Sequence, residues 1–174
     1  PASAEAEAGP LMLFNSYAFL LVFLPLAIVV YRFADPYPRL RMPVLIGLSF
    51  AFYGYWDVRF LPILIGSILV NWLAAKWYLA TKQGGIITAM IVANLAALGV
   101  FKYTNFFAET FASVFGIAVG PFAIALPLGI SFFTFHHIMY LVDLRRGKAP
   151  LYAFDRYALY ISFFPQLLAG PLVR

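Results

Sequence analysis

Charged residues divide the chain into long apolar runs. Stretches free of Asp, Glu, Lys and Arg cover 8–31, 42–56, 60–75, 83–101, 110–142 and 157–173. A helix needs about 20 mostly apolar residues to cross a bilayer core, and a charge at its centre costs roughly 2.5–3.5 kcal/mol. The pattern predicts an all-α, polytopic transmembrane bundle of five or six hydrophobic elements. Several runs are short, so the reading includes tilted, broken or re-entrant helices.

Turn residues place the breaks. The first element is expected from Phe14 to Phe33, with Pro25 inside it, followed by the Pro- and Arg-bearing loop 34–42. The second covers 43–56 and ends in Tyr53, Tyr55 and Trp56, a cluster that fits the aromatic belt of a membrane interface. Asp57-Val58-Arg59 leads into the third, 60–80, whose far end carries Trp72, Trp77 and Tyr78. Thr81-Lys82-Gln83-Gly84-Gly85 is a turn signal before the fourth, 86–101. After Lys102 the stretch 106–116 is aromatic but carries Glu109, which suits the wet face of a separate interfacial helix. Two prolines and two glycines in 119–131 break the chain again before a fifth element at 127–142. A final aromatic element is expected over 151–173. Residues 1–11, small and acidic, read as a tail, an expression remnant or an upstream extension, and 12–174 as one membrane unit. A signal peptide would begin with basic residues, which this stretch lacks.

Composition sharpens this picture. Apolar residues make up 64% of the 174 and charged ones 11%, with mean hydropathy +0.89. Those values exclude a water-soluble domain, a disordered chain and a nucleic-acid-binding module, all of which need more polar surface. Twelve Lys and Arg against seven acids raise the pI to about 9.6, but their placement matters more than their sum. Arg32, Arg39, Arg41, Lys76, Lys82, Arg145, Arg146, Lys148 and Arg156 fall on one side of the expected topology, Arg59 and Lys102 on the other. The positive-inside rule then puts the basic loops in the cytoplasm and the start of the first element outside. There is no cysteine, which removes thiolate metal sites, iron–sulfur clusters and thiol nucleophiles.

Candidate chemistry is sparse. His136 and His137 are the two histidines, inside the apolar stretch 131–143. An ionisable residue within a membrane segment points to a substrate path or proton relay; a helix-packing pair bonded to neighbouring backbone is the other reading. Adjacent helical residues point about 100° apart, so the two are poorly placed to grip one ion, and no metal site is expected. Asp143 with Arg145 and Arg146 is either a head-group or phosphate contact or a solvated helix end favoured by the helix dipole. Asn71, Asn94, Asn105 and Gln166 fit interhelical hydrogen bonds. No nucleophile elbow, phosphate loop or paired carboxylate is present.

Five phrases in order carry a resemblance: MLFNSYAFLLVFLPL (12–26), SFAFYGYWDVRFLPILIGSILVNW (49–72), FKYTNFF (101–107), LPLGISFFTFHHIMYLVDLRRG (126–147) and YALYISFFPQLLAGPLVR (157–174). Together they resemble the front part of the membrane-bound O-acyltransferases of the bacterial alginate O-acetyltransferase type. The resemblance implies a multi-pass enzyme of a bacterial inner membrane, N-terminus outside. It would pass an acyl group, typically acetyl, from a cytoplasmic donor such as acetyl-CoA through a funnel in the protein. The implied partners are the lipid bilayer, the C-terminal half of the same fold, an extracytoplasmic acyltransferase and a polysaccharide such as alginate, with no nucleic acid and no bound cofactor. The family's essential histidine lies in a later Trp-His stretch, and no Trp-His pair occurs here. No catalytic residue is therefore assigned in this chain, and the isolated 174 residues are expected to be inactive. His136, His137 and Gln166 are the candidates for lining a substrate path. A non-catalytic membrane scaffold and a small transporter are the alternatives; the transporter reading expects a second repeat, and none is visible.

Overall fold

The computed structural model describes residues 19–115 and 127–163. All regular structure among them is helical: α1 (Leu24–Ala34), α2 (Pro38–Asp57), α3 (Leu61–Thr81), α4 (Gly84–Phe115), α5 (Ile130–Arg145) and α6 (Phe154–Ser162). The tail 1–11, the broken stretch 119–126 and the end of the last expected element, Gln166 included, lie outside the described residues.

Prolines set the helix starts. Pro25, Pro38 and Pro62 sit in the first turns of α1, α2 and α3, where the missing N–H would have no intrahelical partner. Over its described residues the first element is continuous helix through Pro25: a π-helical turn, Phe19–Phe23, runs directly into α1, and Pro25 sits at the change from π to α. Pro43 is inside α2, which begins five residues earlier than the expected element because Pro38 nucleates it among polar residues.

The largest departure from expectation is α4. Gly84–Phe115 forms one helix of 32 residues, where two were expected. Lys102 does not interrupt it. Neither Gly nor Pro occurs between 100 and 115, so the backbone has no reason to stop, and the Lys102 ammonium lies 5.8 Å from the Tyr103 ring centroid. A helix of this length spans about 48 Å, well beyond the roughly 30 Å hydrocarbon core. Two stretches, Val58–Thr81 and Gly84–Thr104, are long and apolar enough to cross a membrane, with mean hydropathies of 1.8 and 2.0. The joint between them is short. Lys82 adopts a left-handed conformation (φ 57°) that ends α3, its N–H donating to the Tyr78 carbonyl.

The helices pack around α5. Its buried residues Ile130, Phe133, Thr134, His137, Tyr140, Leu141 and Leu144 recur at three- and four-residue steps, the stripe of a helix held on one face. Gly129 takes φ 66° at the N-terminus of this helix, a conformation that glycine adopts without steric cost. Leu64 and Ile68 of α3, Ile87 of α4, and Tyr157, Ala158 and Ile161 of α6 close the core. Tyr53 is fully buried in that core and does not belong to an interfacial belt, whereas Tyr55 is half exposed. Large apolar side chains cover the outer faces, among them Val70, Leu73, Val92, Leu95, Val100, Phe135 and Met139. Such coverage would be a liability in water and is matched by lipid chains.

One end of the bundle gathers the α1–α2 turn, the α3–α4 turn and the C-terminus of α5. Arg145 ties it together: its guanidinium donates to the Thr88 hydroxyl at 3.2 Å and lies against Gly84. Arg41 closes the α1–α2 turn on Asp35 at 3.2 Å. The opposite end carries Asp57, whose carboxylate accepts from Arg59 at 2.7 Å. That charged hydrogen bond holds the Asp57 carboxyl below the usual carboxylate range.

Candidate functional site

The polar groups of the core form two separate clusters. In the first, Asn71 of α3 and Asn94 of α4 exchange side-chain hydrogen bonds of 3.3 and 2.7 Å. Each amide also donates to a carbonyl one turn back, Ser67 or Met90. The pair locks the two membrane-length helices together at mid-span, the interhelical bonding expected of these residues.

The second cluster is built on His137, which is fully buried. Its Nδ1 is 2.6 Å from the Tyr157 hydroxyl of α6, and its Nε2 is 3.2 Å from the Ser67 hydroxyl of α3. Ser67 donates its proton to the Leu64 carbonyl. A hydroxyl has one proton, so the Ser67 oxygen must accept from Nε2–H. Nδ1 is then the acceptor for the Tyr157 hydroxyl. The result is a one-directional chain from Tyr157 through neutral His137 to Ser67 and the α3 backbone. It joins three helices with no charge inside.

His136 faces elsewhere. Its Nδ1 donates to the Phe132 carbonyl at 2.8 Å, and its ring stands edge-on to Tyr160, 5.4 Å between centroids. The two histidines therefore share no ligand position, and the described residues contain no cluster of three or more His, Asp or Glu that could hold a metal.

Both rings stand behind a cavity of about 540 Å³ between α2, α5, α6 and the loop joining the last two. Met42, Leu45, Leu159 and Phe163 supply apolar wall; Tyr140, Tyr152 and Tyr160 supply aromatic wall; Asp143 and Arg156 supply charge. Neither histidine lines it. His136 packs on Tyr160, and His137 reaches it through Tyr157, whose ring lies 4.8 Å from Tyr140. Tyr140 is fixed by its own bonds: its hydroxyl donates to the Pro150 carbonyl at 3.2 Å and accepts from the Tyr152 N–H at 3.4 Å. Trp72 pins the same loop by donating to the Tyr152 carbonyl at 3.0 Å. The sequence singled out Asp143 and the histidines but missed the tyrosines. They lie in apolar-looking sequence, and their polar ends acquire meaning when α5, α6 and the loop between them bring them to one place. Glu109 and Asn105 have side chains outside the described residues.

A helical bundle with lipid-matched outer faces and a polar seam between its long helices is a membrane protein. No family model matches the chain, and no solved structure matches it. Curated relatives do. A peptidoglycan O-acetyltransferase of Helicobacter pylori is 33% identical over 94% of this chain and 37% of its own length. Probable alginate O-acetylases of Pseudomonas aeruginosa and Pseudomonas syringae pv. tomato are 34% and 36% identical, again over 94% of this chain and 33% of theirs. The chain spans about a third of the length of these relatives. Over the stretch it covers, it is similar to these membrane-bound O-acyltransferases of the alginate O-acetylase type.

Proposed function

We propose that this chain is part of a membrane-bound O-acyltransferase that delivers acyl groups, acetyl in the first instance, to a polysaccharide outside a bacterial inner membrane. The observation that carries the reading is its 33–36% identity, over 94% of its residues, to enzymes named for acetylating two different polysaccharides. A scaffold or a small transporter has no comparable support. The net reaction moves an acyl carbon from the thiol sulfur of a donor such as acetyl-CoA to a sugar hydroxyl oxygen. A C–O bond replaces a C–S bond, and the hydroxyl proton ends on the released thiol.

In this reading the basic end of the bundle faces the cytoplasm and the start of the first element faces outward. The donor approaches from the basic end, and an extracytoplasmic acyltransferase is the natural recipient of the acyl group. His136, His137 and Gln166 are the residues proposed to line that path. No group in this stretch is assigned to bond-making. The test is genetic and chemical together. Deleting the gene that encodes the chain should abolish O-acetyl groups on the cell-surface polysaccharide, measured by proton NMR of purified polymer, with polymer yield unchanged. Unaltered acetylation would overturn the assignment.

A further inference from the structure

Asp143 of α5 and Arg156 of α6 line the same cavity, yet they do not pair. The ion pairs among the described residues are Arg41–Asp35 and Arg59–Asp57. Opposite charges that share a largely apolar cavity attract across it, and here each is left without a protein partner among the described residues. The Tyr160 hydroxyl, on the same wall, also makes no hydrogen bond to a described residue. The remaining surface is aromatic and aliphatic. The cavity therefore offers an anion site, a cation site lined with aromatic rings, and an oily wall, in one space of about 540 Å³.

Its depth in the membrane narrows the occupant. The lining residues Met42 and Leu45 lie just past Arg39 and Arg41 at the start of α2, and Asp143 lies just before Arg145, Arg146 and Lys148. Basic clusters of this kind mark the head-group level of a bilayer. We propose that the cavity binds one phospholipid by its zwitterionic phosphoethanolamine headgroup. Arg156 takes the phosphate, Asp143 and the Tyr160 hydroxyl take the primary ammonium, and Leu45 and Leu159 border the acyl chains. An ammonium has three N–H donors for a carboxylate and a phenol, which a trimethylammonium lacks. Aromatic faces add cation–π attraction. Asp143 disfavours an anionic headgroup or a polyphosphate in the same place, so a net-neutral ligand fits where the acyl donor's nucleotide would not.

The proposal requires a membrane location and does not depend on the acyl-transfer reading. Full-length protein, stripped of lipid in detergent, is titrated separately with palmitoyl-oleoyl phosphatidylethanolamine, phosphatidylcholine and phosphatidylglycerol, and retention is read by native mass spectrometry. The wild type should retain one phosphatidylethanolamine in preference to the others. Asp143→Asn should lose about tenfold in affinity for phosphatidylethanolamine and so lose its preference over phosphatidylcholine, as expected for one charged hydrogen bond. Arg156→Gln should weaken both zwitterionic lipids by a similar factor. Equal retention of all three lipids by the wild type would overturn the proposal. So would a preference unchanged in both variants, or a preference for phosphatidylglycerol or acetyl-CoA that strengthens in Asp143→Asn. Asp143→Asn preserves side-chain shape and decides the matter by itself if Arg156→Gln does not fold.

Discussion

At the scale of single residues, His137 shows what a buried histidine costs and supplies. It occupies a site with no exposure, so its neutral form must be satisfied on both ring nitrogens, and Tyr157 and Ser67 do this at 2.6 and 3.2 Å. Removing the ring orphans a phenol and leaves a cavity at once. His137→Ala should destabilise the protein by about 2–4 kcal/mol. Tyr157→Phe deletes a single hydroxyl and should cost about 1–2 kcal/mol, near the upper range of hydrogen bonds measured within membranes. Ser67→Ala should cost less, because that bond is longer and Ser67 already bonds within its own helix. Unfolding in bicelles, followed by near-ultraviolet circular dichroism, orders the three variants. A harmless His137→Ala would mean that the chain from Tyr157 to Ser67 contributes nothing to the fold. Two other polar groups, the Tyr53 hydroxyl and the Ser162 hydroxyl, are buried without a hydrogen-bond partner among the described residues. They sit on α2 and α6, which pack together, and nothing in the structure explains them.

At the scale of elements, the pairing of α3 with α4 rests on an amide exchange. Hydrophobicity cannot decide which apolar helix lies beside which in a bilayer, because lipid tails are as oily as leucine. Asn71 and Asn94 make that choice by leaving each other as the available partner. Asn94→Leu should cost about 1–2 kcal/mol, since it strands the Asn71 amide in the core. The double variant Asn71→Leu/Asn94→Leu should recover much of that loss, because no polar group is then left unmet. The same bicelle unfolding assay gives the cycle, and strictly additive losses would remove the pair from the account. This expectation was legible in the sequence as two isolated amides in apolar runs. The continuity of α4 was not. Lys102 and Glu109 interrupt the hydropathy without interrupting the backbone, and a helix is ended by lost hydrogen bonds, not by polarity alone.

At the scale of the molecule, the turns fall at two ends that differ in charge. Arg39, Arg41, Lys82, Arg145, Arg146 and Lys148 belong to one end, and Arg59 to the other. The absence of native cysteine in the chain makes topology easy to read by labelling. In intact cells, Val58→Cys should react with a membrane-impermeant maleimide, and Gln83→Cys should react after the membrane is opened. The reverse result would invert the proposed orientation and move the Asp143–Arg156 cavity to the outer leaflet.

The sequence by itself determined that this is a helical membrane protein, where most of its turns lie, which end carries the positive charge, and which family its phrases resemble. Those properties follow from local or one-dimensional quantities: run length, proline position, charge count and word order. The tertiary structure alone decided which face of α5 is buried, that His136 and His137 turn to different partners, and that Tyr140, Tyr152, Tyr160, Asp143 and Arg156 surround one cavity. In α5 polar and apolar residues are spread around the helix, so hydropathy marks no face. The face is chosen by where Tyr157, Ser67 and the α4 terminus can meet it, and that depends on residues up to 70 positions away along the chain.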